Sequence, residues 1–195
     1  MGQALEIKTH YTLAEYLVHE EHSPVRSDYY CGELFAMAGT SDVHNLLAQN
    51  LTFALRTRGG PCRTYMENLK LEVIPDQFYV YPDVLFTCDP RDQADHYVKR
   101  YPRILAEVLS PGTESYDRKQ KLPRYLQLPT LDALLLIWQS AVQVELYMRK
   151  GSEWVFSIHT DRADSFQIGD IQLSVAMLYE GVEPVGDGET PPVAQ

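Results

Sequence analysis

Two stretches of this chain, YPDVLF and ILAEVLSPGTESYDRKQK, each set one carboxylate among the Val, Leu, Ile and Phe of what reads as a buried β-strand. The acids are Asp83 and Glu107, 24 positions apart (107 − 83). An ionised carboxylate left unpaired in apolar surroundings is strongly destabilising, so each must be protonated, paired or bound to a metal. If both point at one site, they offer oxygen donors to a hard divalent cation, Mg²⁺ or Mn²⁺, with water and substrate phosphate completing its shell. Such a cation lowers the pKa of a bound water and offsets charge on a phosphate oxygen. Two separate buried ion pairs, or strand ends that reach solvent, are the alternative. Downstream of Glu107 the chain leaves through a Ser-Pro-Gly turn and enters a helix-like segment carrying Arg118, Lys119 and Lys121. A lysine beside two acids would complete a phosphodiester-cleaving site by stabilising phosphorane charge or orienting the attacking water. Otherwise RKQK is a solvated helical face.

These side chains need elements to hold them. Around Glu107, alternation puts Ile104, Ala106 and Val108 on one face and Leu105, Glu107 and Leu109 on the other, the pattern of a central strand covered on both sides. Thr12 and Glu15 form a capping box that predicts a helix over about 13–20, with Tyr11 and Tyr16 placed as a hydrophobic staple. YYCGELFAMAG predicts a strand pair turning near Gly32. Val43, Leu46, Leu47, Leu51, Ala54 and Leu55 predict a long helix closed by Gly59 and Gly60. MENLKLEVI and YVYPDVLF read as antiparallel neighbours joined at Pro75-Asp76, and CDPRDQADHY as a loop. LDALLLIW, VQVELYMRK and EWVFSIHT read as strands, the last two joined at Gly151, and SVAMLYEGV as a short helix. The whole is a mixed α/β (α+β) chain, with a single domain over 1–182 and a disordered tail over 183–195.

With 195 residues, 45% of them hydrophobic, the chain is long enough for one well-formed core. A net charge of −10 argues against a general nucleic-acid coating protein but not against an enzyme with a local basic patch. Cys31, Cys62 and Cys88 show no CxxC spacing, which predicts free thiols in a reducing cytosol and neither a zinc site nor a disulfide framework. No leader pattern opens the chain. Its longest apolar run, Ala133 to Trp138, is far below the about 20 residues that span a bilayer. A soluble cytoplasmic protein without membrane partners is expected.

The spacing of GEL, the following histidine, YPDVLF and AEVLSPGTESYDRKQKLPRYLQL resembles the Uma-type endonuclease family of the PD-(D/E)xK, restriction-endonuclease-like superfamily, over roughly 10–180. Its most specific block here is Glu107, Ser110-Pro111, Thr113, Asp117, Lys121 and Tyr125. The resemblance implies a mixed β-sheet core flanked by helices and metal-dependent hydrolysis of DNA phosphodiesters. It implies Asp83 and Glu107 as metal ligands, Glu33 as an additional acidic ligand and His44 as the helix histidine. The superfamily's E-x-K motif would place lysine where this chain has Leu109, so Lys121 is the expected replacement, with Lys119 behind it. Pro123 should kink the helix after Lys121 or delay its start. Asp117 is read as a helix cap, Ser110 and Thr113 as turn formers, and Tyr125 as a packing residue.

DNA contacts are expected from Arg56, Arg58 and Arg63, or from Lys99, Arg100 and Arg103. Duplex cleavage favours a homodimer with one site per strand. The competing expectation is a non-catalytic interaction or assembly module that keeps the fold. A hydrolase of small phosphorylated molecules lacks the support of a Gly-rich phosphate loop.

Overall fold

Helix α1 (Leu13–His22) starts on the predicted capping box: Thr12 Oγ1 accepts the Glu15 N–H, and the Glu15 carboxylate accepts the Thr12 N–H at 2.8 Å. The coordinates are a computed structural model and describe residues 9–37 and 39–185. Tyr16 is fully buried and stacks on Tyr29, with Tyr11 packed beside them. Strands β1 (Ser27–Tyr30) and β2 (Glu33–Ala36) form the expected hairpin, whose turn needs positive φ at Cys31 and Gly32, 47° and 99°. Helix α2 (Asp42–Arg58) is capped by Ser41, and its apolar stripe Val43, Leu47, Leu51, Ala54 and Leu55 is buried.

The chain then adds β3 (Arg63–Met66), β4 (Lys70–Ile74), β5 (Phe78–Val80), β6 (Val84–Thr87), β7 (Val98–Lys99) and β8 (Ile104–Leu109). One helical run follows, termed α3, in three consecutive pieces: Glu114–Tyr116, Asp117–Lys121 and Leu122–Tyr125. Strands β9 (Ala133–Trp138), β10 (Val144–Lys150), β11 (Glu153–His159), β12 (Ser165–Ile168) and β13 (Ile171–Ser174) and helix α4 (Val175–Leu178) complete it.

Two sheets carry the fold. The larger has the order β11-β10-β9-β8-β6-β3, with β8 and β9 parallel and the remaining pairs antiparallel. The second has the order β2-β1-β5-β4-β7, and β12 and β13 form a separate hairpin. All six residues of β8 are buried, as the two apolar faces predict. Ile104, Ala106 and Val108 pack with α2, α4 and the β12–β13 hairpin, while Leu105 and Leu109 pack with Tyr125, Leu128 and the second sheet's Leu71, Phe78 and Val80. Each such apolar side chain contributes about 1.5–3 kcal/mol by leaving water, so β8 is fixed well enough to hold one opposed group, Glu107.

Several expectations change. YVYPDVLF is not one strand: β5 ends at Val80, β6 begins at Val84, and the two lie in different sheets. Pro82 has no N–H for a ladder, and the chain crosses between sheets there. MENLKLEVI is likewise divided, with Met66 in β3 and Lys70–Ile74 in β4, although β4 and β5 do pair antiparallel across Pro75-Asp76. The expected loop over 88–97 holds a short 3₁₀ turn, Pro90–Gln93. The β12–β13 hairpin has no counterpart in the sequence reading. Of the tail predicted as disordered, residues 186–195 lie outside the described residues, and Val185 N–H bonds to Gln139 O at 3.0 Å.

The free-thiol expectation fails for two cysteines. Cys62 and Cys88 form a disulfide, and only Cys31 is free. The register Arg63↔Thr87 explains it: the next pair outward on this antiparallel ladder is 62 and 88. Motif spacing along the chain does not reveal such a cross-strand pair. The bridge closes a loop of 26 residues, and losing it is expected to cost about 2–4 kcal/mol of unfolding free energy. Urea unfolding with and without reductant, and of Cys62→Ser/Cys88→Ser, measures this; a midpoint indifferent to both would exclude the bridge.

Candidate active site

The β6–β8 register Val84↔Ala106 sets Asp83 opposite Glu107, on adjoining strands. Backbone bonds tie the acids together: Val108 N–H donates to Asp83 Oδ2 at 2.7 Å, and Asp83 N–H donates to Glu107 Oε2 at 3.4 Å. His44 reaches Asp83 from α2, Nε2 to Oδ2 at 3.1 Å, and its own N–H is held by the Ser41 cap. Each acid thus bonds to backbone beside the other, and no guanidinium touches either acid among the described residues.

Lys121 is the lysine that meets Glu107. Its Nζ lies 3.2 Å from Glu107 Oε1 and 3.2 Å from Asp117 Oδ1, and 3.7 Å from Asp28 Oδ2. The reach follows from element geometry. Ser110 and Thr113 bond to each other across the turn, and α3 folds back along β8. Three strand residues separate Glu107 from that turn, about 10 Å at about 3.3 Å each. Seven helical residues lead from Glu114 to Lys121, about 10 Å at about 1.5 Å each. The amine so returns to the level of Glu107, while Leu109, in the motif position, is buried in the core. Lys119 is exposed, and Arg118 pairs with Glu145 instead.

Pro123 does not delay the helix, which starts at Glu114. Residues Asp117–Lys121 are wound as a π turn, with Leu122 N–H bonding to Asp117 O five residues back. That wide turn precedes the proline, which cannot donate to the ladder, and π turns of this kind recur at functional sites. Asp117 does not cap the helix: it lies inside it, buried, one turn before Lys121. Tyr125 does more than pack, since its hydroxyl donates to Glu107 Oε1 at 2.6 Å. Glu33 is exposed at the start of β2 and makes no hydrogen bond or ion pair with this cluster. The N-terminal acid that does reach it is Asp28, on β1, whose Oδ1 accepts the Tyr81 N–H at 3.0 Å. A polar residue in the run SDYY was its only signal.

The charges are unequal. Asp28, Asp83, Glu107 and Asp117 are all buried, against Lys121 and His44. Burial pushes the Glu107 carboxyl well above its usual range; Lys121 opposes this, Asp83 and Asp117 add to it, and the Tyr125 hydroxyl opposes it. Burial likewise pushes Asp28 up to about 6 against the pull of Lys121. Burial alone would lower the Lys121 amine, but Glu107, Asp28 and Asp117 outweigh it and hold the amine well above its ordinary value. Burial would lower His44 too, and the hydrogen bond and charge of Asp83 raise it.

This excess of negative charge, and a donor set made of oxygens, fit a hard divalent cation at Asp83 and Glu107. No group of three His, Cys, Asp or Glu side chains placed to hold a metal occurs among the described residues, so the protein would offer such a cation only these two carboxylates. Of the bases expected to meet DNA, Lys99 is buried against the Asp92 carbonyl, Arg100 pairs with Glu72 and Asp95, and Arg103 pairs with Asp132. Arg56 and Arg58 sit at the far end of α2 from His44, about 18 and about 21 Å away along its axis.

Residues 13–176 match the profile of the Uma2 family, described as "Putative restriction endonuclease". The chain belongs to this family. Relatives include two uncharacterized Synechocystis proteins: slr1290, 34% identical over 173 residues (86% of this chain, 90% of the relative), and sll1609, 32% identical over 151 residues (75% and 85%). The crystal structure of a putative nuclease of the DUF820 group from Anabaena variabilis superposes with a TM-score of 0.67 at 17% identity, covering 86% of this chain and 97% of the other. The expected restriction-endonuclease-like fold is therefore present. No helix among the described residues of this Uma2 member is long and apolar enough to cross a membrane.

Asp28 gives a pH-dependent prediction. Its folded pKa of about 6 exceeds the ordinary 3.8, so the folded protein holds this proton more tightly and ionisation opposes folding. The penalty is absent below about pH 4 and complete above about pH 6. Asp28→Asn should then stabilise the protein at about pH 8, by about 3 kcal/mol at most, and change little at about pH 4. Thermal melts at both pH values check it; equal effects at the two would refute the assignment.

Proposed function

We propose that this Uma2 protein is a Mg²⁺- or Mn²⁺-dependent endonuclease that hydrolyses DNA phosphodiester bonds, with Asp83 and Glu107 holding the cation and Lys121 standing in for the absent motif lysine. The carrying observation is the approach of Lys121 Nζ to within 3.2 Å of Glu107 Oε1, beside the facing Asp83. The family's description as restriction endonuclease supports DNA as the substrate.

Each residue has a distinct task in this reading. The cation, when bound, would supply an activated water and offset charge on the phosphate. Lys121 stays protonated near neutral pH because three carboxylates surround it, so it serves as a fixed positive charge toward the phosphorane and not as a base. Tyr125 fixes the Glu107 carboxylate through Oε1 and leaves Oε2 on the Asp83 side. His44 and the Val108 N–H fix Asp83 through Oδ2. Holding both acids in this way prepares the pair in advance, and preorganised charge is the largest contribution in this type of chemistry.

Supercoiled plasmid incubated with the purified chain should be nicked or linearised with Mg²⁺ or Mn²⁺ and left intact with EDTA. Asp83→Asn, Glu107→Gln and Lys121→Met should each lower the rate by about 100-fold or more, with Lys119→Met near the parent. Calorimetry should find Mn²⁺ uptake in the parent and none in Asp83→Asn. Cleavage that persists in Asp83→Asn and Glu107→Gln would remove the catalytic reading, and absence of both cleavage and Asp83-dependent Mn²⁺ uptake would favour the non-catalytic module.

A further inference from the structure

Four strands form the outer edges of the two large sheets: β2, β7, β3 and β11. The first three are short, with four, two and four residues, and β3 is pinned by the Cys62–Cys88 bridge next to it. Strand β11 differs. It has seven residues, EWVFSIH, pairs with β10 without a bulge from Val144↔His159 to Lys150↔Glu153, and contains neither proline nor lysine. Val155, Phe156 and Ile158 are 40%, 49% and 51% exposed. Val155 lies on one face of the sheet, and Phe156 and Ile158 on the other. Its outward edge makes no backbone hydrogen bond among the described residues. Proteins ordinarily shield such edges by shortening, charging or bending them, because an open apolar strand recruits another strand.

We infer that β11 is the docking edge for a second copy of this chain, paired antiparallel about a twofold axis at Phe156. Self-complementarity selects this occupant. In that register Phe156 faces its own copy, Trp154 faces Ile158, Val155 faces Ser157, and Glu153 faces His159. Glu153 and His159 are the only ionisable side chains of the strand, and they stand at opposite ends. Antiparallel pairing therefore places carboxylate against imidazole at both ends, whereas parallel pairing would set Glu153 against Glu153. His159 is already steadied in place, its ring 5.0 Å from that of Phe166 and Nε2 3.0 Å from Ser157 Oγ. The two six-stranded sheets then continue as one of twelve strands. Strands β9 and β10 lie between β11 and the acid-bearing β8, so the contact leaves Asp83 and Glu107 uncovered and is independent of the nuclease reading.

Light scattering on the full chain should give twice 22.3 kDa, 44.6 kDa. Phe156→Lys should weaken the dimer by about tenfold or more, with an unchanged circular dichroism spectrum showing that the fold is intact. Paired Cα atoms across an antiparallel ladder lie about 4.5–5.5 Å apart, within disulfide reach. In a Cys31→Ser background, Phe156→Cys should give a covalent dimer under mild oxidation, and Val155→Cys, which faces residue 157, should not. A charge exchange tests the register: Glu153→Lys weakens the dimer, and adding His159→Glu restores it. A parent that is monomeric throughout, or a dimer indifferent to Phe156→Lys and not trapped by Phe156→Cys, would overturn the inference. Asp83→Asn should dimerise like the parent, so loss of nuclease activity alone leaves it standing.

Discussion

A carboxylate on a strand buried on both faces must be given a partner, and much of this structure follows from how Glu107 gets one. Its strand is anchored by apolar packing on either side, which removes solvent as a source of compensation. Lys121 supplies a charge from one side, Tyr125 a hydroxyl on the same oxygen, and Asp83 a backbone N–H on the other. The lysine is itself buried, and Glu107, Asp28 and Asp117 together hold its amine well above the ordinary value. Removing Lys121 alone would leave the Glu107 carboxylate without its cation, which is far more destabilising than never having buried the pair. The acid site is thus a condition of the fold as well as its chemistry.

The cluster also unites two sheets. Glu107 belongs to the larger one and Asp83 directly precedes its strand β6, while Asp28 stands on β1 in the smaller and accepts its hydrogen bond from Tyr81, just beyond β5. The crossing between sheets occurs at Pro82, directly before Asp83. The site consequently lies where the two layers are joined, and α3 closes over it. A residue on β1 can influence the lysine without touching either proposed metal ligand.

What could be read in the sequence was whatever is periodic or local. The two-faced strand around Glu107, the capping box at Thr12, the stripe of α2 and the turn at Gly151 all have signals within a few residues, and each element formed. The resemblance pointed to Lys121 on the following helix, and its amine does lie beside Glu107. What was hidden depends on contacts distant along the chain. Cys62 meets Cys88 through strand register. Asp28 meets Lys121 through sheet placement, and nothing in SDYY separates it from a surface acid. Tyr125 looks like any core tyrosine until Glu107 is placed 2.6 Å from its hydroxyl. Glu33 had the better local context, a GEL hairpin, yet it lies outside the cluster.

The π turn at Asp117–Lys121 has a consequence for how such a site can change. Lys121 and Tyr125 are four residues apart and both engage the same oxygen of Glu107, so they share one azimuth on the helix. A single extra residue upstream swings everything beyond it by about 100° around the axis. The bulge therefore works as a phase adjuster between the Ser-Pro turn, fixed by β8, and the side chains aimed back at that strand. Removing one residue from it would rotate amine and hydroxyl away together, which makes helical winding, as much as residue identity, the property that sets Lys121 and Tyr125 against Glu107.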